Sequence, residues 1–259
     1  MKLIPTLIIG AGPAGLATAG RMRQLGLKFD IIEASAKVGN AWRNHYDRLH
    51  LHTVNKWSHL PHLPFPEDFP QYVPRLALVD YMEQYAKHFD INPRFNVEVE
   101  RINKKDLFWE VLCKDGASIH AQNIVVATGV NRVPYEPDFE GRALFQGKLI
   151  HSRTYRNPKP FLGQKVLVVG IGNTGAEVAL DLSEHGIDTT IVSRGELSLV
   201  PRDLNGRPVQ ETAKTLEKLP FGLGDWLGSK IRRIYYGDLT KYGLKTSKIS
   251  PALLLRAVY

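Results

Sequence analysis

Twice along this 259-residue chain, a short apolar run stops at a glycine and is followed by an amphipathic stretch and a second apolar run. In the first instance, residues 6–9 predict a buried strand, because near-continuous apolar runs are typical of parallel sheets. Apolar residues then recur at helical spacing over 13–25, up to Gly26, and residues 29–33 predict a second strand. Strand, turn, helix and strand within about 30 residues indicate a βαβ unit.

The second instance follows a proline-rich connection. Residues 165–169 predict a strand, 173–185 a helix and 189–193 the next strand. Residues 195–259 have a mostly helical or irregular pattern, in which no strand stands out. The second unit therefore supplies only two of the three strands that a mononucleotide-binding half needs.

The region between the two units predicts loop, helix and sheet in turn. Residues 34–74 lose all periodicity and contain several prolines, whereas 78–89 have the spacing of an amphipathic helix. A β-meander and one more buried strand follow, at 95–99, 108–113, 118–121 and 123–127. We expect an α/β fold of two Rossmann-like dinucleotide-binding domains, residues 1–158 and 159–259, with the meander inserted in the first and the second incomplete.

Charge and cysteine content exclude several classes of protein. Net charge is +8, and residues 195–259 contribute five of the excess positive charges. A basic balance is compatible with nucleic acid or with phosphate-bearing ligands. Because the chain has no zinc finger, RNA-recognition signature or basic repeat with aromatic residues, we expect no nucleic acid partner. Cys113 is the only cysteine, which excludes a disulfide framework, a CxxC redox pair and a thiolate zinc site.

The longest mostly apolar stretch, residues 7–20, is too short and too rich in glycine to cross a bilayer. The same glycines interrupt what would otherwise be similar to a signal peptide. We therefore expect a cytoplasmic protein with no membrane partner, and no pattern in the chain predicts its oligomeric state.

The first glycine-rich turn has the GxGxxG pattern of a dinucleotide-binding fingerprint. It runs Gly10-Ala11-Gly12-Pro13-Ala14-Gly15. The turn follows a predicted strand and opens a predicted helix, and Glu33 ends the next strand. The glycines allow backbone N–H groups to approach a pyrophosphate at the positive end of the helix, and the Glu33 carboxylate would accept hydrogen bonds from ribose hydroxyls.

The second glycine-rich turn repeats the pattern in the same context. It runs Gly170-Ile171-Gly172-Asn173-Thr174-Gly175. At the position of the acid, this unit has Ser193 and Arg194. A guanidinium group pairs with a ribose 2′-phosphate that a carboxylate would repel, so the second site is expected to prefer NADPH to NADH.

A third motif lies between the two turns, at residues 145–155. It fits FxGxxxHxxxY, with fixed positions at Phe145, Gly147, His151 and Tyr155. This pattern identifies class B flavin-dependent monooxygenases, in which it also precedes the second dinucleotide motif. The chain thus resembles a flavin-containing monooxygenase, and Trp42, residues 46–49 and His52 are most similar to the YUCCA-like branch.

This resemblance implies that the first domain binds FAD and the second binds NADPH. It also implies that NADPH reduces the flavin, which forms a C4a-(hydro)peroxide with O2 and transfers one oxygen atom to a small organic substrate. Tyr155 fits members that oxygenate nitrogen or sulfur as well as YUCCA-like members that act on a 2-oxo acid. The resemblance puts Trp42, and less directly Asn55, beside the flavin. No side chain is predicted to be catalytic, because the cofactor carries the chemistry.

Several alternatives stay open. The chain could be a non-catalytic nucleotide-binding fragment, or another kind of NADPH:flavin oxidoreductase. Five histidines between residues 45 and 62 raise the question of a metal, but prolines intervene and no third ligand is patterned, so we expect no metal site. Family members usually continue with strands that complete the NADPH domain. Because this chain stops at the apolar residues 252–259, we expect a C-terminally truncated member.

Overall fold

The computed structural model describes residues 3–197, 199–217, 219 and 222–243. The chain divides into two compact units, which are Met1–Leu51 with Asn55–Asn157 and His52–Val54 with Pro158–Tyr259. Residues 252–259, on which the expected truncation partly depends, lie outside the described residues. The assignment of one nucleotide to each unit stays a prediction.

The first unit combines a mixed sheet with three helices. Its elements are β1 (Leu3–Ile9), α1 (Pro13–Gln24), β2 (Asp30–Ile32), α2 (Asn40–Arg43), α3 (Arg75–His88), β3 (Val99–Lys104), β4 (Trp109–Cys113) and β5 (Ser118–Val126). The sheet order is β2-β1-β5-β4-β3, in which β1 pairs in parallel with both β2 and β5, and the other pairs are antiparallel. The predicted strand, helix and strand at the N-terminus are confirmed. Gly26 follows α1 at φ +67°, as expected of a glycine that ends a helix.

The meander differs from the sequence prediction at two points. The strands predicted at 118–121 and 123–127 form one strand, β5. The exposed Gln122 interrupts the apolar pattern, which is why the sequence predicts two strands, but the pairing with β1 continues past it. The meander therefore extends the parallel sheet. The strand predicted at 95–99 instead begins at Val99, since Asn96 has a left-handed backbone at φ +58° and Val97 donates its N–H to the Glu33 carbonyl.

The core of the first unit lies between α1, α3 and the parallel strands. The predicted amphipathic helix is α3, and it buries Leu78, Tyr81, Met82 and Tyr85 almost completely. The Tyr85 hydroxyl donates to the carbonyl of Pro61 at 2.9 Å, and that of Tyr81 donates to the carbonyl of Leu63 at 2.6 Å. These bonds attach the proline-rich loop to the helix, so a segment without periodicity is nevertheless held in place.

The second unit begins with the predicted strand, helix and strand. Its elements are β6 (Lys165–Val169), α4 (Asn173–Glu184), β7 (Asp188–Val192), β8 (Asp203–Leu204), β9 (Arg207–Pro208), α5 (Val209–Glu217) and α6 (Leu223–Tyr236). Strands β6 and β7 are parallel. The sequence analysis missed the small hairpin of β8 and β9, although Asn205 and Gly206, both at positive φ, are the residues that a tight hairpin turn prefers.

Over the residues that the structure describes, one face of the β6–β7 pair is exposed. Leu167, Val169 and Val192 lie on this face and are 60%, 57% and 44% exposed. Parallel sheets normally carry cover on both faces, and here the described residues of α4 pack against one. Among the helices that the structure describes, none is both long enough and apolar enough to cross a bilayer.

Candidate dinucleotide-binding sites

The first glycine-rich turn connects β1 to α1, and two of its glycines lie tightly against backbone atoms. Gly10 has φ +110° and donates its N–H to the Ile32 carbonyl at 2.8 Å. A Cβ on Gly15 would lie 3.0 Å from the Gly10 carbonyl carbon and closer still to its oxygen. A Cβ on Gly10 would meet the Ala127 backbone in the same way. These two glycines are therefore required by the turn itself.

Gly12 has a different role, because a Cβ there would meet no atom within 4 Å. It is the N-cap of α1 with an ordinary extended backbone at φ −83°. Pro13, at the first helical position, has no N–H, so the free donors of this helix end are those of Ala14 and Gly15 beside that of Gly12. The start of α1 thus combines open space at Gly12 with free N–H donors, the two features that a pyrophosphate would use.

Glu33 follows β2 and binds the turn directly. Its Oε2 accepts the Ala11 N–H at 2.7 Å, and its Oε1 accepts the N–H and the hydroxyl of Ser35 at 2.9 and 2.8 Å. The structure thus brings the acid and the glycine-rich turn together, as the sequence predicts. Ser35 was not among the predicted residues, and its only sequence signal is its place two residues after the acid.

The second glycine-rich turn has the same geometry as the first. Gly170 has φ +103° and donates its N–H to the Val192 carbonyl at 2.8 Å, and a Cβ on Gly175 would meet the Gly170 carbonyl. A Cβ on Gly172 would again meet nothing within 4 Å. Ile171 corresponds to Ala11, while Asn173 and Thr174 open α4 as Pro13 and Ala14 open α1.

Ser193 and Arg194 follow β7 and are exposed. The Ser193 hydroxyl donates to the Gly195 carbonyl at 3.4 Å, a long bond. No acidic residue within the described ranges forms an ion pair with Arg194. Its guanidinium group is thus available to an anion at the end of β7, where the first unit has an acid.

The FxGxxxHxxxY motif has local structural roles in the first unit. Tyr155 is 3% exposed and Phe145 is 61% exposed, with the Phe145 ring lying where a Cβ of Gly147 would be. His151 caps a short 3-10 turn, because its Nδ1 accepts the Arg153 N–H at 3.1 Å. The motif is a largely exposed loop with a buried tyrosine at its end.

Trp42 lies on α2, a short helix whose N-terminus is hydrogen-bonded to the backbone of the first glycine-rich turn. Gly39, which precedes this helix at φ +68°, donates its N–H to the Ala11 carbonyl at 3.1 Å. Trp42 itself is half-buried and packs against the core cluster of the first unit. The Asp47 N–H donates to the Arg156 carbonyl at 2.8 Å, which joins the loop after α2 to the end of the FxGxxxHxxxY motif.

The side chain of Asn55 is engaged within its own loop. Its Nδ2 donates to the Phe69 carbonyl at 3.2 Å, and its Oδ1 accepts the Lys56 N–H at 2.7 Å. These bonds use one of the two Nδ2 hydrogens and one of the two Oδ1 lone pairs, so they are compatible with a further polar contact.

The five neighbouring histidines have separate surroundings. Nδ1 of His50 lies 2.6 Å from the Arg48 carbonyl, and Nε2 of His62 lies 3.2 Å from the Arg21 guanidinium. Burial, together with nearby guanidinium groups of which Arg156 is foremost, lowers the pKa of His45 below its usual value. Over the described part of the chain, no three histidine, cysteine or acidic residues are grouped so that they could hold a metal ion.

Comparison with known proteins gives a matching family and several similar monooxygenases. The model of the family described as "Pyridine nucleotide-disulphide oxidoreductase" matches residues 7–210. The chain is 39% identical over 257 residues to the probable indole-3-pyruvate monooxygenase YUCCA3 of Arabidopsis thaliana, covering 95% of this chain and 59% of that protein. It is 37% identical over 249 residues to the indole-3-pyruvate monooxygenase YUCCA1 of Oryza sativa subsp. japonica, covering 95% and 61%.

A solved structure agrees as well. A mutant of the flavin monooxygenase from Stenotrophomonas maltophilia superimposes with a TM-score of 0.75 at 30% identity, over 83% of this chain and 64% of that one. The chain spans about 60% of the length of the curated relatives that it matches. The chain therefore belongs to the pyridine nucleotide-disulphide oxidoreductase family, and within its matches it is similar to the YUCCA monooxygenases and to a bacterial flavin monooxygenase.

Proposed function

We propose that the chain binds FAD in its first unit and NADPH in its second, and that it serves a monooxygenase reaction in which one oxygen atom of O2 is inserted into a small organic substrate. The observation that carries the proposal is the pairing of two turns of equal geometry with opposite charges, Glu33 after β2 and Arg194 after β7. A reaction in which a nicotinamide cofactor reduces a flavin needs two dinucleotide-binding sites, one that prefers each cofactor.

The residues of the first turn fit FAD. The open space at Gly12 would admit the diphosphate to the N–H groups of Ala14 and Gly15, where the positive end of α1 favours an anion. The Glu33 carboxylate has three donors and about four lone-pair sites, so it can accept a further hydrogen bond from a ribose hydroxyl.

The residues of the second turn fit NADPH. Gly172 leaves the corresponding space for a diphosphate, and Arg194 supplies a guanidinium group that can pair with the 2′-phosphate through two parallel hydrogen bonds. NADH lacks that phosphate, so the preference would come from a contact that only one of the two cofactors can make.

The bound flavin would supply electron transfer from the nicotinamide and the reaction with O2. The chain's own residues would bind and orient the two cofactors and keep water from the flavin; Trp42, on a helix tied by Gly39 to the first turn, is the residue that we propose beside it. The relatives named as indole-3-pyruvate monooxygenases favour a 2-oxo acid as substrate. A nitrogen or sulfur nucleophile is the second candidate.

Disulfide reduction, which the family's description includes, does not fit this chain. The only cysteine is Cys113, and it lies on β4 with 3% of its surface exposed. Burial also raises the pKa of its thiol, which disfavours the reactive thiolate. Electrons from a reduced flavin would therefore find no dithiol partner in the chain itself.

The test measures binding and turnover separately on the purified chain. FAD and NADPH affinities are titrated first, and O2 uptake with NADPH is then followed with indole-3-pyruvate or with a thioether. Incorporation of one atom from labelled O2 into the product, detected by mass spectrometry, would support the full proposal. Binding of both cofactors without product would favour the non-catalytic alternative, and no FAD binding would refute the proposal at its first step.

A further inference from the structure

Three hydrogen-bond donors converge on the Glu33 carboxylate, and only one of them belongs to a side chain. The N–H groups of Ala11 and Ser35 are backbone donors, which persist whatever the side chains are. The Ser35 hydroxyl, 2.8 Å from Oε1, is the third. The hydroxyl adds to the hold of the two backbone donors, and it is the one donor of the three that a substitution can remove.

The two carboxylate oxygens are left in different states. Oε1 has two donors from Ser35, which occupy both of its lone-pair sites, whereas Oε2 has one donor from Ala11. A carboxylate held at both oxygens cannot turn about its terminal torsion. The loss of conformational entropy on ordering the Glu33 side chain therefore occurs during folding and not on ligand binding. One lone-pair site on Oε2 stays free.

The Ser35 hydroxyl has a competing acceptor. It lies 2.9 Å from the Lys37 carbonyl as well, and a hydroxyl has only one hydrogen to donate. When it donates to Lys37, Oε1 loses one of its two donors. The position of this one hydrogen therefore decides how firmly Glu33 is held.

We infer that Ser35 is a positioning residue for FAD, whose hydroxyl fixes Glu33 so that Oε2 can accept a ribose hydroxyl. The inference rests on the proposed function, since it assumes that FAD binds in the first unit. In the second unit Val192 corresponds to Ile32, since each accepts the N–H of the first glycine of its turn, so the position of Ser35 is taken by Gly195, which has no hydroxyl. The serine hydroxyl therefore occurs in the unit that has the acid, and it is not a general feature of both glycine-rich turns.

The experiment compares FAD affinity in the wild type, Ser35→Ala and Ser35→Thr, measured by quenching of flavin fluorescence. Ser35→Ala is expected to weaken FAD binding about two- to ten-fold, because part of the cost of ordering the Glu33 side chain would then be incurred when FAD binds. Ser35→Thr keeps the hydroxyl and is expected to restore the affinity. Ser183→Ala, which removes an exposed hydroxyl from α4 in the second unit, is the matched control and is expected to change nothing.

A second measurement separates positioning from a general structural effect. In a Glu33→Ala background no side-chain acceptor remains for the Ser35 hydroxyl to hold, so Ser35→Ala should weaken FAD binding less than two-fold further. Equal effects of Ser35→Ala on FAD affinity in the two backgrounds would overturn the inference, whereas a lower melting temperature of the FAD-free protein is expected in either case, because the Ser35–Glu33 bond also stabilises the fold. Wild-type affinity in Ser35→Ala would overturn it too while leaving the proposed function intact. A wild type that does not bind FAD would instead refute the proposed function, and this inference with it.

Discussion

Replacement of Gly12 and of Gly15 by alanine separates the binding role of the first glycine-rich turn from its structural role. Gly12 has a backbone that alanine adopts freely, and its Cβ would enter open space. Two small effects on the FAD-free protein oppose each other there. Alanine reduces the freedom of the unfolded chain, which stabilises by about 0.4–1 kcal/mol, and it is a poorer N-cap than glycine by a similar amount. The free energy of unfolding should change by less than about 0.5 kcal/mol.

FAD binding should respond differently in the Gly12→Ala variant. The added methyl group would fill space that is open at the N-cap of α1, and we expect it to keep a diphosphate from approaching the N–H groups of the first helical turn closely. A hydrogen bond to a charged group contributes about 1.5–3 kcal/mol, so the loss of one such bond weakens binding at least ten-fold.

Gly15→Ala should damage the fold itself. Its Cβ would press on the Gly10 carbonyl, which is backbone within the same tight turn and cannot rotate away. Alanine gains up to about 1 kcal/mol over glycine within a helix, but overpacking against a fixed group costs about 1–3 kcal/mol or more, so the clash decides the sign. Each kcal/mol lowers the melting temperature by about 2–4 °C in a protein of this size.

The assay measures thermal unfolding of the FAD-free protein and FAD affinity for each variant. Gly228→Ala serves as the control, because this glycine lies within α6 of the second unit and its Cβ would also meet nothing within 4 Å. Wild-type FAD affinity in Gly12→Ala would refute the argument for the binding space. An unchanged melting temperature in Gly15→Ala would refute the argument for the closed turn.

Three further predictions concern charge and pH. Arg194→Ala should weaken NADPH binding about ten-fold and leave NADH unchanged, which parallel titrations of the two cofactors check; equal losses would show that Arg194 does not contact the 2′-phosphate. Glu33→Arg should abolish retention of flavin on gel filtration, because it removes the acceptor for the ribose and the bonds to Ala11 and Ser35. Burial raises the pKa of Tyr85 to about 12 from an ordinary value of 10, so its neutral phenol stabilises the fold fully below pH 10 and this contribution is lost as pH rises to about 12. Tyr85→Phe should therefore be less stable than the wild type by about 1 kcal/mol at neutral pH, because it loses the hydrogen bond to Pro61. The variant should also lose less stability than the wild type between pH 10 and 12. Denaturant titrations at each pH would measure both effects.

The parts of the fold that could be predicted from the sequence are those in which local pattern and tertiary burial agree. The two βαβ units and α3 have apolar periodicity that matches the faces they bury. Strand β5 was divided in the prediction because Gln122 breaks its alternation, and only the pairing with β1 reveals that the strand continues. Residues 95–98 have strand-like composition, but Asn96 at positive φ turns the backbone out of the sheet.

The candidate sites follow the same rule. The sequence predicts the glycines, Glu33 and Arg194 as site residues, because the geometry of a tight turn and the charge of a ribose ligand each require particular residue types; the structure bears out the turns, and the binding roles stay predictions. Ser35 and Gly39 could not be predicted, since serine and glycine are common in loops and their partners, the Glu33 carboxylate and the Ala11 carbonyl, are met only in the folded chain.

The open face of β6 and β7 bears on how the protein should be handled in solution. Leu167, Val169 and Val192 present branched side chains to water on a flat parallel pair. Salts such as ammonium sulfate strengthen the association of apolar surface, so they should precipitate this chain at low concentrations, and a fluorescent dye that binds apolar surface should respond to the native state without heating. Leu167→Thr combined with Val169→Thr should raise the salt concentration needed for precipitation, with little change in melting temperature, because these side chains gain little from burial in the folded chain.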